Sequence, residues 1–172
     1  MAKSLHWLMF VLIAAAFSVG FWMVDLPLAQ RIRTVPWHKS IGVAILACVI
    51  VRLAWRVGHA PPPLPDSVPA WERRAARTAH WLLYALMAAV PVSGWLMSSA
   101  LGVATVPFGL ARLPDLLERD RELGEMLKIV HFALNKTLLA LVLLHAAAAL
   151  KHYLVDRDGV LQRMLPVPRN RR

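Results

Sequence analysis

The sequence predicts an all-α integral membrane protein, a four-transmembrane-helix bundle with both termini in the cytoplasm. Three observations predict it. Of the 172 residues 58% are hydrophobic, and they gather into four long runs with little charge inside them. Tryptophans bracket the first two runs, Trp7 and Trp22 around one and Trp37 and Trp55 around the other, where interfacial anchors belong. With four spans both termini share a side, and that side holds twelve Lys or Arg against seven on the other. The positive-inside rule places it in the cytoplasm.

The chain reads as a single membrane domain over 1–172, with spans at about 4–24, 38–57, 78–101 and 126–152. The first has no charge between Lys3 and Asp25. It resembles a secretory signal, but Ala14–Ala16 come too early for a cleavage site and no polar region follows, so it is read as a retained helix. The second is charged only near its ends, where Lys39, Arg52 and Arg56 must snorkel. A connector over 58–77 follows, and its Ala60-Pro61-Pro62-Pro63-Leu64-Pro65-Asp66 segment has no helical option; it divides the chain into two helix pairs. Pro91 and Gly94 fall inside the third span and predict a kink. Leu113, Leu116, Leu117 and Leu123 have helical spacing with charges between, so Pro114–Leu123 is expected to form a short helix on the outer surface, with a solvated loop as the equal alternative. Between Ile129 and Leu150 the fourth span carries only Lys136. The tail over 156–172, basic and proline-containing, is expected at the cytoplasmic interface.

Net charge is +10, from 20 basic and 10 acidic residues. The bases stand at helix ends rather than along one face, which argues against nucleic acid as a partner and for membrane lipid. Cys48 is the only cysteine, so neither an intramolecular disulfide nor a cysteine-bound cluster can form. No C-x-x-C-H occurs, and any haem must be held by axial ligation and packing.

Histidines carry the chemistry. His131 and His145 lie fourteen residues apart on one apolar segment. On an α-helix that is a rise of about 21 Å, with the second side chain returning to within roughly 40° of the first. Imidazole nitrogen is a strong iron ligand, and a haem between helices can take one axial ligand from each. Matching by depth pairs His6 with His145 on the cytoplasmic side and His38 with His131 on the outer side, giving two metal sites and two haems. His80, opening the third span, rivals His6 as the partner of His145. His59 follows Gly58 in the connector and is expected to be solvated. His152, seven residues beyond His145, suits a haem propionate better than an axial position. Arg73, Arg74 and Arg77 are further propionate candidates inside, and Arg31, Arg33 and Lys39 outside. Lys136 adds a base slightly below His131, where it would steer a small anion toward the outer haem or hold a quinone oxygen, the alternative being that it snorkels outward and contacts only a propionate or lipid.

The sequence resembles the bacterial cytochrome b561 proteins over nearly its whole length. The resemblance rests on Ser4-Leu5-His6-Trp7, Pro36-Trp37-His38-Lys39, Arg52-Leu53 with the proline connector, and Ala79-His80 with Pro91-Val92-Ser93-Gly94-Trp95. Its most specific part runs from Leu144-His145 through Lys151-His152-Tyr153 to Asp158-Gly159-Val160-Leu161-Gln162-Arg163-Met164-Leu165-Pro166. It implies a four-helix b-type cytochrome of the bacterial inner membrane with two haems b, whose axial ligands map onto His6, His38, His131 and His145. It further implies electron transport to or from the quinone pool, ubiquinone as a diffusible partner and, in some members, oxidation of superoxide. The alternative function is a haem-carrying membrane-anchor subunit of a dehydrogenase or hydrogenase, with no catalysis of its own. The resemblance gives Lys136 no role.

Overall fold

Four helices long and apolar enough to cross a membrane make up most of the protein. They are α1 (Ala2–Val24), α2 (Leu28–Gly58), α3 (Ala70–Ala100) and α4 (Arg121–Lys151), the last continued by a π-helical turn over His152–Asp156. The computed structural model describes residues 1–60, 62–65 and 67–165, and no strand occurs among them. Pro61 and Asp66 of the connector and Arg169, Arg171 and Arg172 of the tail lie outside the described residues.

Successive helices pack on one another, α1 on α2, α2 on α3 and α3 on α4. One end of the bundle carries the N-terminus, the connector and the C-terminal segment. The other carries the turn at 25–27 and the loop at 101–120. We call these the terminal end and the hairpin end. Met9 and Ile13, Ile45 and Val49, Leu83, Tyr84 and Met87, and Leu138 are buried together, forming one layer across the middle. Large apolar side chains such as Phe10, Phe21, Ile32, Leu143 and Leu144 instead point outward and stay exposed. Water would penalise such a surface, whereas hydrocarbon does not; the helices satisfy their own backbone groups, as lipid demands.

The helix starts follow local chemistry. Pro27 and Pro69 precede α2 and α3, and their carbonyls accept the first helical N–H groups, from Arg31 at 3.0 Å and Arg73 at 3.1 Å. Asp120 caps α4 by accepting the Leu123 N–H at 3.0 Å, and Glu122 adds negative charge to the first turn. Residues 70–77, which the sequence places in the connector, are therefore the first turns of α3, and α2 begins ten residues before His38.

No helix forms over residues 114–120, contrary to the leucine spacing. The loop's polar groups find better partners on α3. Trp95 Nε1 donates to the Pro114 carbonyl at 3.0 Å, the Leu116 N–H to Ser99 Oγ at 3.1 Å, and the Asp120 N–H to the Ala100 carbonyl at 2.9 Å. Lys39 Nζ holds the same loop through the Val103 and Ala104 carbonyls at 3.1 and 3.2 Å.

At the terminal end the chain closes on itself. Trp7 Nε1 donates to the Met164 carbonyl at 2.8 Å, Lys3 Nζ to Leu165 at 3.2 Å, and Arg163 to Pro63 at 2.7 Å. Lys151 bridges Glu72 and Asp156, so the carboxylates of Glu72 and Asp156 beside His152 are neutralised by an ammonium. His152 Nδ1 meets Asp158 at 2.6 Å. Burial pushes the Asp158 carboxyl up, but the Val160 N–H and His152 outweigh it and hold it below the usual range. This contact thus contributes fully above pH about 4 and is lost as pH falls through the lower folded value. Hydrogen exchange over residues 157–165, corrected for intrinsic rate, should rise on acidification. Asp158→Asn should show that raised exchange already at pH 7; protection that ignores both changes contradicts the assignment.

Candidate functional site

The fourteen-residue interval of α4 recurs on every helix. His6 and Gly20 on α1, His38 and Arg52 on α2, His80 and Gly94 on α3, and His131 and His145 on α4 are all fourteen apart. Near-integral helical turns return each second residue to the face of the first. Each helix therefore offers one residue to a level near the terminal end and one to a level near the hairpin end. Between the levels lies the buried apolar layer.

At the hairpin-end level the His38 and His131 ring centres are 6.5 Å apart. At the terminal-end level His6 and His145 are 6.2 Å apart, and His80 and His145 are 5.3 Å apart. Iron bound to two imidazole nitrogens at about 2.0 Å each, with roughly 1.2 Å from nitrogen to ring centre, separates the ring centres by about 6.4 Å. The first two separations lie within about 0.2 Å of that figure, and the His80 separation is about 1 Å shorter. The arrangement brings the four histidines matched by depth together as two separate pairs and keeps His80 beside the terminal-end pair, exposed at its edge.

Helix α3 supports the hairpin-end level. The Val90 carbonyl accepts from His131 Nδ1 at 3.1 Å and from Ser93 Oγ at 2.7 Å, while Ser93 Oγ lies 2.9 Å from the same Nδ1. A carbonyl can only accept, so the imidazole proton is on Nδ1 and Nε2 keeps its lone pair. Such a hydrogen bond fixes ring orientation and raises ligand basicity. Gly94 and Gly20 make room behind the rings. A Cβ on Gly94 would lie 3.1 Å from His131 Cε1, and one on Gly20 would lie 3.2 Å from His38 Cε1. His38 differs in having a buried Nδ1 with no partner among the described residues. The Ala16 backbone on α1 is the polar group that lies against its ring.

The other sequence candidates are placed elsewhere. His152 is taken by Asp158, and Arg73 donates to the Val68 carbonyl at 2.9 Å. Arg74 stands exposed beside it, six residues before His80, hence about 9 Å further out along α3. His59 is exposed but stacked on Trp55 at 3.7 Å. Arg31 donates to the Val24 carbonyl at 3.1 Å and Lys39 is committed to the loop. Lys136 is exposed on α4, about 140° round from His131, with its ammonium 4.4 Å from the Phe132 ring centre. It snorkels along the outer surface of the bundle and does not reach His131.

Sequence reasoning missed the two glycines, Ser93, and a cluster of Arg52, Arg56 and Tyr84 at the terminal-end level. The recurring interval signals three of them, since Gly20, Arg52 and Gly94 each stand fourteen residues from a histidine.

Comparison with known proteins agrees with this architecture. The prokaryotic cytochrome b561 family matches residues 1–167. "Cytochrome b561 homolog 2" of Escherichia coli (strain K12) is 35% identical over 167 residues, covering 95% of this chain and 88% of that protein. "Probable superoxide oxidase CybB" of Yersinia pestis is 30% identical over 170 residues, covering 96% and 94%. "Cytochrome b561 homolog 1" of Escherichia coli (strain K12) is 25% identical over 165 residues, covering 94% and 93%. The chain belongs to the prokaryotic cytochrome b561 family, membrane electron-transfer proteins whose cofactor is b-type haem.

Proposed function

We propose that the protein carries electrons across the bacterial inner membrane through two b-type haems, one between His6 and His145 and one between His38 and His131. The observation that carries this reading is the pair of imidazole separations, 6.2 and 6.5 Å, at two levels a fixed interval apart on the same helices. With twelve bases on its side, the terminal end faces the cytoplasm. When bound, the haem iron supplies one-electron chemistry. The chain does the rest. Four imidazoles hold the irons, Val90 and Ser93 fix one ring, and the apolar layer keeps water from the space between the levels.

Quinone is the partner on this reading, and superoxide the donor. In the net reaction two superoxide ions each give up one electron and leave as dioxygen, while ubiquinone takes two electrons and two protons to become quinol. The relative of Yersinia pestis named as a probable superoxide oxidase supports this choice over an anchoring subunit without catalysis. Arg33 is the one basic residue of the α2 start that makes no side-chain contact with carbonyl or carboxylate among the described residues, and it is exposed to incoming anions.

A pyridine haemochrome assay on fully loaded protein is expected to give two haems per chain, both low-spin. One haem per chain sinks the reading. Ubiquinone-dependent loss of superoxide by the same preparation tests the reaction, and its absence with both haems in place returns the anchoring role.

A further inference from the structure

Two arginines converge on one phenol at the terminal-end level. Arg52 Nε donates to Tyr84 Oη at 3.0 Å and an Arg56 terminal nitrogen donates to the same oxygen at 3.3 Å. Their guanidinium carbons lie 5.9 and 5.5 Å from the Tyr84 ring centre. Apart from one further donation, from Arg52 to the Ala2 carbonyl at 3.0 Å, their N–H groups have no acceptor among the described residues. Among the described residues no carboxylate pairs with either, and the ion pairs found there lie elsewhere. Two like charges in an apolar span are expensive without an anion. Tyr84, 7% exposed, accepts from both arginines, which leaves its own O–H free to donate.

The place of the cluster says which anion. Arg52 is the α2 member of the terminal-end level, fourteen residues from His38; its bond to the Ala2 carbonyl puts it about one turn from His6, and Tyr84 stands about one turn from His80. Two guanidinium forks and a phenol O–H match a carboxylate, which accepts bidentate donation. We propose that Arg52, Arg56 and Tyr84 form the seat of a propionate carboxylate of the haem held between His6 and His145. This rests on the two-haem reading above and replaces Arg73, Arg74 and His152, whose donors are spent or distant.

The test uses full-length protein carrying Arg52→Gln, Arg56→Gln, Arg52→Lys or Tyr84→Phe. Haem content and low-spin spectra come first; one haem in the unsubstituted protein would refute the two-haem reading and not this seat. With both haems retained, spectroelectrochemical titration should show the terminal-end haem harder to reduce in either Gln variant, since the propionate charge is then uncompensated and favours the ferric state. We expect at least a tenfold change in its reduction equilibrium, which is 59 mV for one electron, with the other haem unmoved. The His38→Ala protein identifies which wave belongs to the terminal-end haem. Tyr84→Phe, which changes no charge, should shift the propionate bending band in the resonance Raman spectrum, and Arg52→Lys should restore most of the potential. If a Gln variant fails to hold haem, Tyr84→Phe and Arg52→Lys still decide. An unchanged potential and an unchanged band at full haem content overturn the proposal. So does an effect present only in vesicles of anionic phosphatidylglycerol and absent in phosphatidylcholine, because the anion is then a lipid phosphate.

Discussion

Alanine at His6 is expected to remove the same haem that alanine at His145 removes, and alanine at His38 the same one as alanine at His131. Each variant should fall from two haems per chain to one, and each pair should share a residual reduced-minus-oxidised spectrum. The geometry behind this is the 6.2 and 6.5 Å ring separations, against 5.3 Å for His80 and His145. On the two-haem reading, loss of either centre interrupts electron transfer through the bundle, so transfer across a vesicle membrane should fall by more than the roughly 10- to 100-fold that loss of a ligand's supporting partner costs. His80→Ala should keep both haems. If it instead empties the terminal-end site while His6→Ala leaves it loaded, the ligand is the nearer ring and the separation argument is wrong.

Valine at Gly94 is expected to weaken the hairpin-end haem by displacing His131, with every imidazole left in the sequence. Even a single Cβ there stands 3.1 Å from Cε1, 3.4 Å from Nδ1 and 3.7 Å from Nε2 of His131, along one whole edge of the ring. The ring cannot slide away and keep its Nδ1 bond to the Val90 carbonyl. We expect haem affinity at that level to drop roughly 10- to 100-fold, with the terminal-end spectrum intact. Gly20→Ala should act in the same direction on His38, whose Cε1 a Cβ at residue 20 would approach to 3.2 Å. Haem titration of the apo-variants measures both. Undiminished affinity in Gly94→Val would mean that α3 gives way more easily than its packing indicates.

The fold was legible because hydrocarbon imposes a simple rule, that every span be long, apolar and helical. The imidazole pairs were legible because α4 carries both of its histidines and fixes the interval. The same interval on α1, α2 and α3 passed unread, since a glycine or an arginine fourteen residues from a histidine signals nothing until a ring is seen to lie against it. Leu113, Leu116 and Leu117 misled for another reason. Their spacing is helical, but Ser99, Trp95 and the Ala100 carbonyl outcompete intrahelical bonds for that backbone. Arg73, Arg74 and His152 were credible anion partners by position alone; short contacts to Val68 and Asp158 occupy two of them. Lys136 looked close to His131 in sequence, yet five residues on a helix turn a side chain to a different face.

The dependence of both imidazole pairs on α4 also orders the protein's biogenesis. When a ribosome has released α1, α2 and α3 into the bilayer, His6 and His38 are present but each lacks its counterpart, which is still to be synthesised. At about 5–20 residues per second, several seconds pass before the last helix follows. On the two-haem reading neither cofactor could be captured with two ligands in that interval, so loading would be a late event that locks the final helix into a bundle already inserted. On the two-haem reading, a chain that ends before residue 131 therefore lacks one imidazole of both pairs at once, rather than of one pair only.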